Sequence, residues 1–354
     1  MNTKSRRIAL AGIVAFSLVA AACGEDQGSE SADTTAAATN APGTTGATET
    51  TAAGMELAGG EVFVTGSSTV EPISVLVSEL ADEMSNGELA VTVEGPGTGD
   101  GFKKFCAGEA DISDASRKIK DEEAATCAEN GVEFVELEIG IDGLTVATSP
   151  ANDAVTCLDK AAIYALVGPE SEGFSKWSDA QALATELGST VTLPDADLVI
   201  TGPGPESGTY DSFVEFTIKK IAGERGTEDT TRTDYTQSPN DNIIVEGIEG
   251  SDSSFGWVGY AYYKAEADRM KAIEIDGGDG CVAPTDETIA DGSYPLSRSL
   301  FIYVSKASLA DNPAVKSFVD LYLSEQGFAQ VTEAGYVSLP ADRIEATRSA
   351  WAAA

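Results

Sequence analysis

The sequence predicts an α/β fold with largely parallel β-sheets, in a chain long enough for two domains of ordinary size. Two observations support this prediction. Of the 354 residues, 42% are hydrophobic, which is ordinary for a globular protein. After residue 60, strand-like and helix-like segments alternate, separated by small polar or glycine-rich turns. In such folds, ligands bind where strands end and helices begin.

The first part of the body reads as two strand–turn–helix units followed by a further strand. Apolar residues at helical spacing follow the first turn, at Ile73, Val77, Leu80 and Met84. The segments, in order, are a strand at 61–65, a turn at 66–69, a helix from Val70, a strand at 89–94, a glycine-rich turn at 95–101, the start of a short helix at 102–106 and a strand at 111–115.

The remaining segments continue the alternation. They are an extended apolar segment at 132–149, a helix within 157–169, a helical turn within 177–188, a strand, turn and helix within 196–223, a helix, loop, small helix and strand within 242–275, a strand at 297–306, and helices near 312–324 and 325–334.

The charge balance excludes several classes of function. The chain carries 58 acidic and 22 basic residues, a formal net charge of -36, and no histidine. Nucleic acid binding needs a basic surface, so it is a poor candidate. A histidine-dependent triad is impossible, and no G-x-S-x-G elbow or CxxC spacing occurs. We therefore expect no enzyme, no metal and no cofactor, and we interpret the acidity as a solubility feature.

The N-terminus has the pattern of an export signal. Basic residues from Lys4 to Arg7 precede an apolar stretch that is too short for a comfortable membrane span and ends in "AAAC". This pattern resembles the signal of bacterial lipoproteins, which implies a signal peptide at 1–23 with lipidation of Cys23; an ordinary cleaved signal is the alternative. Residues 24–58 are rich in Thr, Ala, Gly and Ser and predict a disordered tether.

Four cysteines remain if Cys23 carries a lipid, an even number in an exported chain. Sequence alone allows three pairings of four cysteines. We favour Cys106 with Cys127, which closes a short loop, and Cys157 with Cys281, which closes a long one.

Three predicted turns share small residues, hydroxyls and glycine. They are Ser67–Thr69, Gly97–Gly101 and Ser207–Thr209, each at a predicted helix start. Helix N-termini and clustered backbone N–H groups attract anions. Any one of these turns is also explained by simple capping or by the needs of a tight turn. Three together indicate an oxyanion site.

Several stretches resemble the phosphate-binding lipoproteins of bacterial phosphate ABC importers, the PstS-like family. They are "GSSTV", "GTGDGFKKFCAGEADISDASR", "ESGTYDSF", "SPNDNIIVEGI", "YAYY" and "YPLSRSLFIYV". The resemblance covers nearly all of the chain after residue 60. It implies a two-lobed type II periplasmic-binding-protein fold with mixed, mostly parallel sheets and the ligand between the lobes. Lobe 1 would be 59–142 plus 298–354, and lobe 2 would be 143–297.

The resemblance also implies a set of phosphate ligands. These are Ser68, Thr69, Thr98, Asp114, Ser116, Arg117, Ser207, Gly208 and Thr209.

Two departures from the family leave choices open. Many members have an arginine where this chain has Pro203, so Arg117 is our candidate for the cation. Asp114 is our candidate for the carboxylate that accepts the phosphate proton, with Asp100 and Glu206 as competitors.

The function expected from the sequence is extracytoplasmic phosphate binding by a monomer anchored at the cell membrane. The protein would deliver phosphate to the permease subunits of an ABC importer. Alternatives are binding of another oxyanion, such as sulfate or molybdate, and phosphate sensing without transport.

Overall fold

The structure, a computed structural model, describes residues 55–354. The predicted signal peptide, Cys23 and the tether up to residue 54 lie outside the described residues. Residues 55–58, expected to belong to the tether, pack on the folded body. Met55 and Leu57 contact the hydrophobic core, and the Ala58 amide donates a hydrogen bond of 2.9 Å to Ser317 Oγ.

Twelve strands are present in this part of the chain. They are β1 Gly60–Gly66, β2 Leu89–Glu94, β3 Ile112–Ala115, β4 Phe134–Thr148, β5 Cys157–Asp159, β6 Val199–Gly202, β7 Thr236–Gln237, β8 Ser254–Gly259, β9 Lys271–Ala272, β10 Glu274–Asp276, β11 Cys281–Val282 and β12 Ser297–Ser305.

Fourteen α-helices occur in the same residues. They are α1 Glu71–Ser85, α2 Thr98–Cys106, α3 Asp121–Glu129, α4 Lys160–Val167, α5 Gln181–Glu186, α6 Gly208–Phe213, α7 Lys219–Arg225, α8 Asp241–Glu249, α9 Tyr260–Ala265, α10 Asp286–Ala290, α11 Lys306–Asp311, α12 Pro313–Tyr322, α13 Glu325–Glu333 and α14 Ala341–Ala352. A π-helical turn at Val214–Ile218 joins α6 to α7.

The α1 helix shows how local sequence sets an element. Pro72 lies in its first turn, where the missing N–H costs nothing. Ile73, Val77 and Ala81 form its buried stripe. The helix ends at Ser85 and is followed by the cap residue Asn86, whose φ of 53° is left-handed, a conformation that asparagine tolerates.

The main sheet is mixed. Its strand order is β2-β1-β3-β12-β4-β8-β6-β7, and β9 also pairs with β4. A second sheet has the order β11-β10-β5. The α/β class is confirmed, but in the described part of the chain the sheets are not largely parallel. Five strand pairings are parallel and five are antiparallel.

Strands β4 and β12 account for most of the antiparallel pairings and lie in the middle of the sheet. Residues 134–143 of β4 pair with β12, and residues 144–147 pair with β8. Strand β12 also pairs with β3, where Ile302 is the partner of Asp114. The two central strands therefore connect the β1–β3 part of the sheet with the β6–β8 part.

Two disulfides are present, Cys106–Cys127 and Cys157–Cys281, the pairing that we favoured from the sequence. The first joins α2 to α3. The second joins β5 to β11, at opposite edges of the small sheet.

Several elements differ from the sequence-based expectation. Helix α2 begins at Thr98, so most of the predicted glycine-rich turn is its first turn. Strand β8 and the helices α3, α11 and α14 were not predicted. Among residues 55–354, no helix combines the length and apolar character that a membrane span requires.

Candidate functional site

The first two turns and the end of β3 are joined directly. The Gly97 amide donates a hydrogen bond of 2.7 Å to the Gly66 carbonyl, and the Ser67 amide donates one of 2.9 Å to the Asp114 carbonyl. Thr98 Oγ1 lies 3.1 Å from Ser116 Oγ and also accepts from the Ser116 amide at 3.2 Å. The first turn, the second turn with Thr98, and the end of β3 with Asp114 and Ser116 therefore meet in one place.

Glycine is required where these segments touch. Gly66 has a φ of +148°, and an added Cβ would overlap the Asp114 backbone. A Cβ at Gly101, in the first turn of α2, would overlap Gly66 Cα. These two glycines allow the start of α2 to lie against the first turn.

The starts of α1 and α2 lack side-chain caps. The N-cap residues are Val70 and Gly97, and neither makes a capping hydrogen bond through a side chain. In α1, the Glu71 and Ile73 amides donate to backbone carbonyls and Pro72 has no N–H. The α2 helix therefore offers the first-turn N–H groups that no cap satisfies, an arrangement suited to an anion. The α6 helix differs, because Ser207 Oγ accepts from the Thr209 amide at 3.2 Å.

The third turn lines a cavity of about 490 Å³ that also reaches the start of α1. Its lining includes Pro72 at the start of α1, residues 142–144 of β4, Ser207–Thr209 and Tyr336. The first turn also reaches the α6 helix. Burial raises the pKa of Asp211, Glu215 adds to the effect, and the Ser68 hydroxyl opposes it. The third turn and the start of α1 therefore share one cleft, and the second turn is joined to this region through its hydrogen bond with Gly66.

Asp114 is the most unusual carboxyl group of the site. Asp114 is fully buried, and neither of its carboxylate oxygens has a hydrogen-bond partner among the described residues. Burial raises its pKa to about 8, Glu71 adds to the rise, and the Ser74 hydroxyl opposes it. Near neutral pH, Asp114 therefore carries a proton when no ligand is bound.

The two competing carboxylates have ordinary surroundings. Asp100 is 60% exposed and binds Lys103 at 2.7 Å. Glu206 is exposed. Neither has the buried, unpartnered state of Asp114, which therefore remains the best candidate for sharing a proton with an anion.

Arg298 supplies the cation that the sequence analysis did not identify. It lies near the start of β12, with 15% of its side chain exposed. Its Nη2 donates to Thr69 Oγ1 at 3.1 Å, and its guanidinium lies 4.8 Å from the ring centre of Phe216. Arg298 therefore contacts a predicted ligand residue directly.

Two carboxylates stabilise the positive charge of Arg298. Its Nε donates to Asp142 Oδ2 at 3.1 Å, and its Nη1 lies 2.7 Å from Glu215 Oε2. Burial lowers the pKa of Arg298, but these two carboxylates more than offset burial and raise it. Asp142 is buried, and its Oδ2 also accepts from Ser212 Oγ at 2.8 Å.

Arg117, our candidate from the sequence for the cation of the site, is already paired with a carboxylate. Its Nη1 and Nη2 bind the two oxygens of Glu123 at 2.7 Å each, and Nη1 also donates to the Lys118 carbonyl at 3.1 Å. This bidentate pair with α3 holds its terminal nitrogens. The geometry favours Arg298 over Arg117 as the cation of the site.

Sequence reasoning missed Arg298 because its contact with Thr69 spans 229 positions of the chain. The available signal was a single charged residue, an arginine, in the strand "SRSLFIYVS". As for metals, residues 55–354 contain no group of three or more cysteine or acidic side chains arranged to hold an ion.

The comparisons with known proteins agree with this architecture. Residues 29–326 match the family described as the PBP superfamily domain. This match covers more than half of the chain, so the chain belongs to the PBP superfamily.

Similar proteins indicate to which group of the superfamily the chain belongs. The chain is 38% identical over 283 residues to Protein SphX of Synechocystis, covering 79% of this chain and 78% of that protein. It is 34% identical over 286 residues to the phosphate-binding protein PstS of Staphylococcus haemolyticus, covering 79% and 82% respectively. A crystal structure of a possible phosphate binding protein from Planctomyces limnophilus is 39% identical, with a TM-score of 0.75 and coverage of 84% and 99%. The chain is a PstS-like member of the superfamily.

Proposed function

We propose that this protein binds inorganic phosphate outside the cytoplasm and delivers it to the permease of an ABC importer. The observation that carries the proposal is the convergence of three hydroxyl- and amide-rich turns beside a buried, unpartnered Asp114 and a partly buried Arg298. The names of the PstS relatives support the same ligand.

The proposed donors come from the three turns and the end of β3. Hydrogen bonds to a charged group are worth about 1.5–3 kcal/mol each, so several of them offset the repulsion of an acidic surface. Arg298 takes the place that we had assigned to Arg117. The proposed ligand residues are Ser68, Thr69, Thr98, Asp114, Ser116, Ser207, Gly208, Thr209 and Arg298.

Asp114 gives the site a means of selection. Phosphate carries a proton at neutral pH and can share it with the Asp114 carboxylate, whereas sulfate carries none. Because burial raises the pKa of Asp114 to about 8, the carboxyl group can donate its own proton to sulfate at lower pH. Discrimination against sulfate should therefore be strongest above pH 8, where Asp114 has no proton to donate.

The central strands suggest how binding is coupled to motion. We retain the proposal of two lobes, 59–142 plus 298–354 and 143–297, which close over the ligand by a hinge motion. The lobe boundaries fall where β4 changes its partner from β12 to β8. Asp142 and Arg298 lie at these boundaries, so an anion at Arg298 contacts the hinge itself.

The N-terminal pattern supports the location. We propose that Cys23 is lipidated after removal of the signal peptide and that residues 24–54 tether the body to the cell membrane. The protein would act as a monomer that docks on the permease. Catalysis is not part of the proposal, and chromogenic phosphate and acyl esters should not be turned over.

Calorimetric titration of the purified protein tests the proposal. Bound phosphate is first removed by dialysis, and phosphate, sulfate and molybdate are then titrated at pH 6 and pH 9. One-to-one phosphate binding at both pH values, with sulfate competing only at pH 6, is the expected result. No phosphate binding at micromolar concentration contradicts the proposal, and preferential binding of sulfate or molybdate supports the other-oxyanion alternative. Unimpaired phosphate uptake after gene deletion contradicts the transport role.

A further inference from the structure

The π-helical turn at Val214–Ile218 delivers two consecutive side chains to Arg298. Glu215 Oε2 lies 2.7 Å from Nη1, and the Phe216 ring centre lies 4.8 Å from the guanidinium. A π turn carries one more residue than an α turn and occurs frequently at functional sites. This turn follows directly after α6, whose start lines the cleft.

Three contacts other than Glu215 already hold the guanidinium. Asp142 binds Nε, Thr69 accepts from Nη2, and Phe216 packs on the guanidinium. Asp142 is 5% exposed in its side chain, whereas Glu215 is 42% exposed. Glu215 is therefore the peripheral partner of Arg298, and the orientation of the guanidinium does not depend on it.

Glu215 also sets the local charge. With both Asp142 and Glu215 ionised, the group around Arg298 has a net charge of −1, so Arg298 offers an incoming anion no net positive charge. The influence of Glu215 extends further, because it adds to burial in raising the pKa of both Asp142 and Asp211.

We propose that Glu215 is an affinity-determining residue that competes with the bound anion for Arg298. The inference rests on the proposed function and deepens it. In the ligand-free protein, the Glu215 carboxylate occupies Nη1. An arriving oxyanion either displaces it or binds beside it against its repulsion. Glu215 therefore weakens anion binding and favours release.

Removal of the charge at position 215 tests the proposal. Glu215→Gln keeps the shape of the side chain, and Glu215→Ala also removes its hydrogen bonding. Glu224→Gln is the matched control, because Glu224 lies on the same helical run, is 67% exposed and approaches only Lys220, at 3.9 Å. Phosphate affinities at pH 9 and sulfate affinities at pH 6 are measured for the three variants and the wild type by calorimetry at constant ionic strength, after dialysis.

The expected result is tighter phosphate binding by Glu215→Gln and Glu215→Ala, by about fivefold or more, since adjacent like charges repel even through water-like screening. Sulfate, which like phosphate at pH 9 is a dianion, should gain about as much. Glu224→Gln should match the wild type.

Other outcomes overturn the inference. Unchanged affinity in both Glu215 variants would mean that its charge does not reach the ligand. Weaker binding would mean that Glu215 orients Arg298 instead of competing. An equal gain of affinity in Glu224→Gln would mean that the effect comes from the net charge of the protein and not from the position of Glu215. If the wild type binds no phosphate, the proposed function fails first and the inference fails with it, whereas a phosphate-binding wild type with unaltered variants defeats the inference alone.

Discussion

Replacement of Asp114 by asparagine should stabilise the ligand-free protein while weakening its selectivity. The pKa of this carboxyl group rises from 3.8 to about 8 on folding, mainly through burial. The folded state therefore binds a proton that the unfolded state releases between these values. Wild-type stability consequently falls as pH rises through this window, and the neutral amide of the Asp114→Asn variant removes that loss.

The size of the effect follows from the shift. Each pKa unit corresponds to about 1.4 kcal/mol. The difference in unfolding free energy between Asp114→Asn and the wild type should be about 2 kcal/mol at pH 5, about 4 kcal/mol at pH 7 and at most about 6 kcal/mol above pH 8. The stability gain and the functional cost arise from the same buried group.

Urea denaturation at pH 5, 7 and 8.5 in phosphate-free buffer measures these differences. Asp100→Asn is the control, since that carboxylate is exposed and paired with Lys103, and its stability profile should run parallel to that of the wild type. In calorimetry, Asp114→Asn should bind phosphate about tenfold more weakly, because a charge-assisted hydrogen bond becomes a neutral one. Parallel pH profiles of Asp114→Asn and the wild type, or unaltered phosphate affinity and selectivity, would refute the reasoning.

Three further predictions concern the cation, the turns and the disulfide that closes the longer loop. Arg298→Lys should weaken phosphate binding by about ten- to a hundredfold, because lysine lacks the planar set of donors, whereas Arg117→Ala should change it by less than about fivefold; calorimetry of both variants checks this. Gly101→Ala should lower the free energy of unfolding by about 2 kcal/mol and impair phosphate binding, while Gly99→Ala, whose Cβ meets no atom within 4 Å, should not destabilise the protein in the same urea and calorimetric assays. Replacement of both cysteines of the Cys157–Cys281 disulfide, which spans 124 positions, should cost about 5 kcal/mol in urea denaturation, against about 3 kcal/mol for the disulfide that spans 21.

The first two elements of the body could be predicted because each has a clear local pattern. Strand β1 and helix α1 follow apolar periods of two and 3.6 residues, and their bounds lie close to the prediction. Strand β8, "SFGWVG", was missed because it is buried along its length and therefore does not alternate. Helix α14 was missed because it has no apolar stripe, and Thr347 is its one buried residue.

The residues of the site were likewise predictable only where the signal is local in the sequence. The turns were predictable because hydroxyls, glycines and helix starts are adjacent in the sequence. The cation was not, since Arg298 reaches Thr69 only through the pairing of β12 with β3 and β4. Glu215 gave no signal at all, because a glutamate on a helix is ordinarily a solvated surface residue and only the π turn places it on Arg298.

The π turn makes the helix after the third turn tolerant of a one-residue change in length. A π turn completes the same full rotation as an α turn but contains one more residue. Deletion of a single residue within Val214–Ile218 would therefore restore a continuous α-helix and leave Lys219–Arg225 in the same rotational register relative to Gly208–Phe213. Only the side chains of the turn itself would change place, so two proteins with identical turns could still present different neighbours to the same arginine.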